Sequence, residues 1–185
     1  MNLQDLHIDN SWTLFLDRDG VINKNIEGGY VLSLEMFEWI DGSIEAIASL
    51  SKIFGRIIIV TNQQGVGKGL MSENDLSVVH NFMKTEIEKQ GGRVDAIYYS
   101  PYLNSENHPM RKPGTGMPLQ AQKDFPEIDF SKSILVGDSE GDMEMAEKLH
   151  LKKVFIKNSR TVYLGADFNF NSLNEFADAL SFLQD

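Results

Sequence analysis

Short apolar segments alternate along the chain with segments in which apolar residues recur at helical spacing. Five apolar segments are predicted to be β-strands, and they span residues 12–17, 56–61, 94–99, 133–138 and 153–156. The stretches 57–60 and 134–136 are continuously apolar and rich in β-branched residues, as expected for parallel strands covered by helices on both faces. The pattern therefore predicts a parallel sheet.

Three further segments have apolar residues at the spacing of an amphipathic helix. The predicted stripes consist of Ile44, Ile47, Ala48 and Leu50 or Ser51 in the first, Leu76, Val79, Met83 and Ile87 in the second, and Phe176, Leu180 and Leu183 in the segment from Leu173 to Leu183. Ser72 and Asp75 resemble a capping box at the start of the second helix. The alternation predicts an α/β fold with right-handed crossovers, and 185 residues predict a single domain, 1–185.

Composition narrows the class of protein. A hydrophobic fraction of 42% with 24% charged residues is typical of a globular chain, and no apolar run approaches the roughly 20 residues of a membrane span. The first ten residues contain no Lys or Arg, unlike a secretory signal, so we expect a cytoplasmic protein, and we expect a monomer.

A net charge of -10 opposes binding to nucleic acid. A small phosphorylated metabolite is a compatible partner if basic residues cluster around it.

Polar residues follow the predicted strands at the points where ligands bind in an open parallel sheet, beyond the carboxyl ends of the strands. They are Asp17 and Asp19 after the first strand, Thr61 and Asn62 after the second, Arg111 and Lys112 in the loop after the third, and Asp138 and Asp142 after the fourth. Asp17 and Asp19 leave their strand on the same side because side chains alternate with period two.

Together these residue types supply what phosphoryl transfer requires. Asp17 can attack phosphorus, and Asp19 can protonate the departing alkoxide and later deprotonate water, for which its pKa would have to be raised. Carboxylates of Asp17 and Asp138 suit Mg²⁺, which prefers a few such ligands plus substrate phosphate. Thr61 and the amides after it would hold phosphoryl oxygens, and Lys112 would neutralise charge that develops on them. The predicted phosphate-binding set is Thr61, Asn62, Arg111 and Lys112.

Several of these residues also have a purely structural interpretation. An Asp-Xaa-Asp-Gly sequence is often a turn, Asp138 could only cap the helix that follows it, and Lys112 could be a solvated loop lysine. The four histidines are dispersed and are expected to be structural or exposed. Catalysis is favoured because acids, hydroxyl and lysine all fall at strand ends on one edge of one sheet.

These motifs resemble those of the haloacid dehalogenase superfamily. The four motifs of that superfamily correspond to residues 15–22, residues 60–63, Lys112 and residues 137–142. Other stretches resemble the branch of heptose bisphosphate phosphatases and histidinol phosphatases, and they are residues 29–31, 37–42, 64–65 and 111–117. The resemblance spans about residues 12–158 and implies a Rossmann-like, parallel-sheet core without a large cap domain.

The resemblance also implies a ligand set for Mg²⁺. The cation would be held by Asp17, the backbone carbonyl of Asp19 and Asp138, with Asp142 orienting those ligands. Relatives in this branch carry a zinc loop of three Cys and one His before the Arg-Lys pair, whereas residues 100–110 contain no Cys, so no structural zinc is expected. Close relatives of the heptose enzyme have a basic residue where this chain has Ser139, which leaves recognition of the leaving group open.

Three functions fit these residues. The first is hydrolysis of a phosphomonoester through an aspartyl-phosphate, with a sugar bisphosphate such as D-glycero-D-manno-heptose 1,7-bisphosphate as the expected substrate and histidinol phosphate as the alternative. The second is a module that binds a phosphorylated ligand without turnover, which the presence of both Asp17 and Asp19 disfavours. The third is phosphotransfer between sugars, which needs a cap to exclude water, and no cap-sized insertion follows Asp19 or Gln64.

Overall fold

The computed structural model describes residues 2–157 and 163–181, and a six-stranded sheet lies at its centre. The strands are β1 (Thr13–Leu16), β2 (Arg56–Asn62), β3 (Ala96–Ser100), β4 (Ser133–Gly137), β5 (Lys152–Ile156) and β6 (Phe168–Phe170). Their order is β3-β2-β1-β4-β5-β6, and every neighbouring pair is parallel. β2 and β3 are added on one side of β1, and β4, β5 and β6 are added on its other side. Such a switch point is where an open sheet forms its ligand crevice.

Helices cover both faces of the sheet. In the described residues they are α1 (Ser43–Ile53), α2 (Gln64–Gly67), α3 (Glu73–Lys89), α4 (Gly116–Asp124), α5 (Glu140–Lys148) and α6 (Leu173–Ser181). The predicted capping box is confirmed at the start of α3, where the Ser72 hydroxyl accepts the amide of Asp75 at 3.1 Å and the Asp75 carboxylate accepts the amide of Ser72 at 2.8 Å. Leu183, which was predicted to extend the last helix, lies outside the described residues.

Alternate residues of the central strands pack into two hydrophobic clusters. Leu14 and Ile57 face the cluster that includes α1, α3 and α6, whereas Phe15 and Ile58 face the cluster that includes α4 and α5. These four side chains are fully buried, and burying a side chain of this size stabilises a fold by about 1.5–3 kcal/mol. The two-sided burial explains why these strands are continuously apolar, and it fixes the position of their carboxyl ends.

The structure corrects three details of the predicted elements. α1 buries Ala46 and Ile53 while Ile44 and Ala48 remain half-buried, because the helix packs against both α3 and α6. α4 was not predicted, since its buried residues form only a short stripe. β6 was not predicted either, because three residues at a sheet edge carry little pattern.

The segments where a cap domain would be inserted are short. Residues 17–42 contain a 3₁₀ turn, Leu34–Met36, and isolated bridges from Asn23 to Asp19 and Trp39. The segment after Gln63 forms α2 and then α3. Within the described residues, neither position carries an inserted domain. No helix in residues 2–157 or 163–181 combines the length and hydropathy that crossing a membrane requires.

Candidate active site

The structure brings the predicted side chains together at the carboxyl ends of β1, β2 and β4. They line a cavity of about 900 Å³, and those at its wall are Asp17, Asp19, Thr61, Asn62, Arg111, Lys112 and Asp138. Asp142 is fully buried beside this cavity. The backbone of Asp17 is fixed by the neighbouring strand, because its amide donates to the carbonyl of Val136 at 2.9 Å.

Lys112 is the cation at the centre of the cluster. Its Nζ lies 2.8 Å from Asp17 Oδ1 and 2.6 Å from Asp142 Oδ1, and it donates to the carbonyl of Val60 at 3.1 Å. Burial opposes the charged form, but the carboxylates of Asp142 and Asp17 outweigh it and raise the pKa of Lys112 above its ordinary value. Lys112 is only 5% exposed, so its interpretation as a solvated loop lysine is wrong.

Three buried carboxylates lie together at this site, and the ammonium group of Lys112 contacts those of Asp17 and Asp142. Oxygen atoms of Asp17, Asp138 and Asp142 all lie within 4.8 Å of one another. Burial raises the pKa of Asp17 well above its ordinary value, and repulsion from Asp142 raises it further. The charge of Lys112 lowers this pKa but does not cancel the rise. Hard oxygen donors with an excess of negative charge fit a divalent cation such as Mg²⁺.

Asp142 supports this cluster from the start of α5. Its Oδ1 faces Lys112, and its Oδ2 accepts hydrogen bonds from the backbone amide and the hydroxyl of Ser139. Ser139 is the residue that caps α5, so the interpretation of Asp138 as merely a helix cap is wrong. With both oxygens of Asp142 engaged, Asp17 and Asp138 are the carboxylates of this trio that line the cavity.

Gly20 allows the turn after Asp19 to pack directly against Asp138. Its φ angle is +87°, and a Cβ atom built at this position would lie 2.0 Å from Asp138 Oδ2. Asn25 holds the same oxygen, because its Nδ2 donates to Asp138 Oδ2 at 2.9 Å. A side chain at position 20 would therefore displace the carboxylate from the cluster.

The carboxylate of Asp19 is held by donors on several sides. Arg18 Nη2 donates to Oδ1 at 2.9 Å and to Oδ2 at 3.0 Å, Asn23 Nδ2 donates to Oδ1 at 2.8 Å, and Gln63 Nε2 donates to Oδ2 at 2.8 Å. Burial favours the neutral acid, but the charge of Arg18 and these hydrogen bonds outweigh it and lower the pKa of Asp19. The raised pKa that proton donation by Asp19 requires is therefore not found in this arrangement.

Arg18 is itself fixed by a histidine from α3. It is fully buried, and its Nη1 lies 3.1 Å from His80 Nε2. Burial lowers the pKa of His80 to about 3, and the charge of Arg18 adds to the effect. Because arginine can only donate, we assign His80 Nε2 as the acceptor and Nδ1 as the protonated nitrogen. Sequence reasoning missed this contact, and the only available signal was a basic residue between two acids.

The polar residues at the end of β2 hold other site residues in place. Gln63 Nε2 donates to Thr61 Oγ1 at 2.9 Å as well as to Asp19. The side chain of Asn62 accepts the backbone amide of Lys112 at 3.0 Å and donates to its carbonyl at 3.3 Å. Asn62 therefore positions Lys112 through its side chain, a contact that the sequence did not predict.

Arg111 lies at the cavity wall beside the loop that precedes it. Its Nη1 donates to the carbonyl of Tyr102 at 3.2 Å, while its Nε is buried and has no hydrogen-bond partner among the described residues. Burial lowers the pKa of Arg111 from its ordinary value. Nearby, the hydroxyl of Tyr30 accepts hydrogen bonds from Gln64 and Lys68, each at 2.8 Å.

Comparisons with known proteins agree on one family. A family model described as polynucleotide kinase 3 phosphatase matches residues 15–176. The D-glycero-alpha-D-manno-heptose-1,7-bisphosphate 7-phosphatase of Mycobacterium bovis is 38% identical over 176 residues, which cover 91% of this chain and 91% of the relative. The corresponding beta-heptose enzyme of Rhodopseudomonas palustris is 39% identical over 142 residues, which cover 72% of this chain and 76% of the relative.

A solved structure has the same fold and a related sequence. The D,D-heptose 1.7-bisphosphate phosphatase from B. bronchiseptica, complexed with magnesium and phosphate, superposes with a TM-score of 0.84 at 27% identity. The superposition covers 92% of this chain and 98% of that chain. The chain belongs to the phosphatases of the haloacid dehalogenase superfamily, in the branch that contains the heptose-1,7-bisphosphate 7-phosphatases.

Proposed function

We propose that this chain is a Mg²⁺-dependent phosphomonoester hydrolase that acts on a sugar bisphosphate through an aspartyl-phosphate intermediate. The observation that carries this proposal is the cluster in which Lys112 joins Asp17 to Asp142 at the cavity. It combines a nucleophile, a fixed cation and acids able to bind a metal. The names of the relatives support D-glycero-D-manno-heptose 1,7-bisphosphate as the substrate.

In the first step, a carboxylate oxygen of Asp17 forms a bond to phosphorus as the bond between phosphorus and the ester oxygen breaks. The orientation of the nucleophile is fixed, because Asp17 Oδ1 accepts a hydrogen bond from the backbone amide of Arg18 at 2.7 Å and forms an ion pair with Lys112 at 2.8 Å. Lys112 and Thr61, with the backbone after Thr61, would hold the phosphoryl oxygens and stabilise charge that develops on them.

Asp17 and Asp138, together with the backbone carbonyl of Asp19, would hold the Mg²⁺ ion. When bound, the cation reduces the repulsion between an anionic nucleophile and an anionic ester. This assignment is supported by the excess of carboxylates over lysine in the cluster. Asp142 would hold Lys112 and the start of α5 in place beside these ligands.

Asp19 would carry the proton in both steps. In the structure it is an anion held by Arg18, so it must gain a proton before it can protonate a departing alkoxide. A phosphoryl dianion bound nearby raises the pKa of a carboxyl group by like-charge repulsion. In the second step, Asp19 takes a proton from water, the water oxygen bonds to phosphorus, and the bond from phosphorus to Asp17 breaks.

Arg111 supports a bisphosphate over histidinol phosphate. Its buried Nε lacks a protein partner among the described residues, and a guanidinium fork matches a second phosphate better than it matches a cationic amine. The net charge of -10 opposes binding to a polynucleotide, which supports a small phosphorylated metabolite. Histidinol phosphate remains the alternative substrate.

A phosphatase screen with Mg²⁺ tests this proposal across sugar monophosphates, sugar bisphosphates and histidinol phosphate. We expect the highest kcat/KM for a sugar bisphosphate. Arg111→Ala should raise KM for that substrate by about 10- to 100-fold, the loss of one charge-assisted contact, while KM for a monophosphate changes little. Arg111→Lys keeps the charge without the guanidinium fork. Its KM for the bisphosphate should therefore lie between the values of wild type and Arg111→Ala.

Two results would contradict parts of the proposal. A higher kcat/KM for histidinol phosphate than for any sugar bisphosphate would make the substrate assignment wrong and leave the chemistry intact. Binding of phosphate esters without turnover of any of them would favour the binding module.

A further inference from the structure

The loop that carries Arg111 contains little regular structure. Residues 101–111 follow β3, and within them only Asn104–Glu106 forms a 3₁₀ turn. A guanidinium that recognises a ligand must be held in place, because ordering a long side chain and its loop on binding costs affinity. Other contacts must therefore order this loop.

An aromatic pair connects the two sides of the loop. The rings of Tyr102 and His108 are stacked, with centroids 3.4 Å apart and an interplanar angle of 17°. The plane of the imidazole is further fixed because His108 Nδ1 accepts the backbone amide of Met110 at 3.2 Å. The pair closes the loop across a short span.

The backbone carbonyl groups of Tyr102 and His108 both accept hydrogen bonds from Arg111. The carbonyl of Tyr102 accepts Arg111 Nη1 at 3.2 Å, and the carbonyl of His108 accepts the backbone amide of Arg111 at 2.9 Å. The stack therefore joins the two carbonyl groups that hold the side chain and the backbone of Arg111. A change in the backbone at either ring residue would alter one of these two contacts.

The ends of the loop are anchored independently of the stack. The backbone of α2 packs against the loop, since a Cβ atom built at Gly67 would lie 2.2 Å from the carbonyl oxygen of Pro101. At the other end, the amide of Gly116 donates to the carbonyl of Pro109 at 2.9 Å. Loss of the stack should therefore loosen the middle of the loop and leave its ends in place.

We propose that the stack of Tyr102 on His108 positions Arg111 to bind an anionic group of the substrate remote from the reacting phosphoryl group. This inference rests on the proposed function, because it takes the substrate to carry a second phosphate. Tyr102 and His108 are positioning residues that act through Arg111.

Steady-state kinetics with the sugar bisphosphate of highest wild-type kcat/KM and with the matching monophosphate test the proposal. His108→Ala should raise KM for the bisphosphate by about three- to tenfold, as expected for loss of an aromatic pair, with a smaller change for the monophosphate. His108→Phe keeps a ring for stacking but loses the acceptor of the Met110 amide, so its KM should lie between those of wild type and His108→Ala. His7→Ala removes an exposed histidine outside the cavity wall and is the matched control.

A double-mutant cycle distinguishes positioning from general stabilisation. If the stack acts through Arg111, His108→Ala should have no further effect on KM once Arg111→Ala is present. Equal effects in both backgrounds would overturn the proposal. Hydrogen–deuterium exchange of residues 101–111 should also be faster in His108→Ala than in wild type or in His7→Ala.

The same experiments separate this inference from the proposed function. If wild type prefers a bisphosphate, and His108→Ala changes neither KM nor exchange, the positioning inference is wrong and the proposed function stands. If wild type shows no preference for a bisphosphate, the proposed substrate is wrong and the inference fails with it, whatever the exchange of the loop.

Discussion

Arg18 donates hydrogen bonds from one guanidinium nitrogen to both carboxylate oxygens of Asp19, at 2.9 and 3.0 Å. Arg18 is fully buried, so each charge depends on the other for compensation. Asp19, the proposed proton carrier, is therefore an anion before substrate binds. In this state it can accept a proton but has none to donate. This relationship determines what its substitution should do.

Asp19→Asn should slow hydrolysis of an alkyl phosphate by about 100-fold or more, because the alkoxide then leaves without a proton. p-Nitrophenyl phosphate should lose much less, since its leaving group needs no proton. Comparison of kcat/KM for the two substrates checks this. Equal losses on both would argue against proton transfer by Asp19. Thermal stability should fall as well, because the buried charge of Arg18 loses its partner.

Asp17→Asn should lower kcat by more than about a thousandfold, because it removes the proposed nucleophile and keeps nearly the same volume. The folded state should be at least as stable as wild type without metal, since one of three mutually repelling carboxylates becomes neutral. Turnover assays and thermal unfolding in a chelating buffer measure both effects. Activity within tenfold of wild type would exclude a covalent role for Asp17.

Removal of divalent metal should abolish turnover, and Mg²⁺ should restore it, because the cluster offers only oxygen ligands. We also expect no stoichiometric zinc, since the chain has no Cys. Activity before and after chelation, together with elemental analysis of the purified protein, checks both statements. One tightly held zinc per chain would contradict the second.

Gly20→Ala should weaken the apparent affinity for Mg²⁺, because the new Cβ would lie 2.0 Å from Asp138 Oδ2 at a φ of +87°. The positive φ alone costs about 1–2 kcal/mol in stability. Gly91→Ala is the control, since Gly91 has a φ of +79° with no atom within 4 Å of the built Cβ. Mg²⁺ titrations of activity should separate the variants, and equal affinities would refute the contact between Gly20 and Asp138.

His80→Gln should flatten the dependence of stability on pH below about pH 6.5. The folded protein keeps His80 neutral down to a pKa of about 3, whereas the unfolded chain protonates it near its ordinary value. The unfolded state therefore binds more protons in this window, and the free energy of unfolding falls as pH falls, by at most about 1.4 kcal/mol per pH unit.

Denaturant unfolding at pH 6.5, 5.5 and 4.5 compares wild type with the His80→Gln variant. The glutamine carbonyl can still accept from Arg18, so a difference in slope reports titration of the imidazole. Identical slopes would show that His80 titrates alike in the folded and unfolded chains.

The sequence predicted the residues that depend on strand ends and missed those that depend on tertiary contacts. Asp17 and Asp138 directly follow apolar strands. Because β1 and β4 pair in parallel, their carboxyl ends lie side by side, so the strand pattern alone predicts that the two aspartates are close. The contact between Arg18 and His80 joins residues 62 positions apart, and no local pattern predicts it. The stack of Tyr102 likewise depends on the conformation of an aperiodic loop.

The position of β1 between β2 and β4 has a consequence for synthesis of the chain. Until residues 133–137 have left the ribosome, one edge of β1 has no partner strand and Asp138 is absent from the nascent chain. The nascent protein then carries an apolar strand with an open edge, a state prone to aggregation. Maturation of the metal site and protection of that edge should therefore occur together, late in translation.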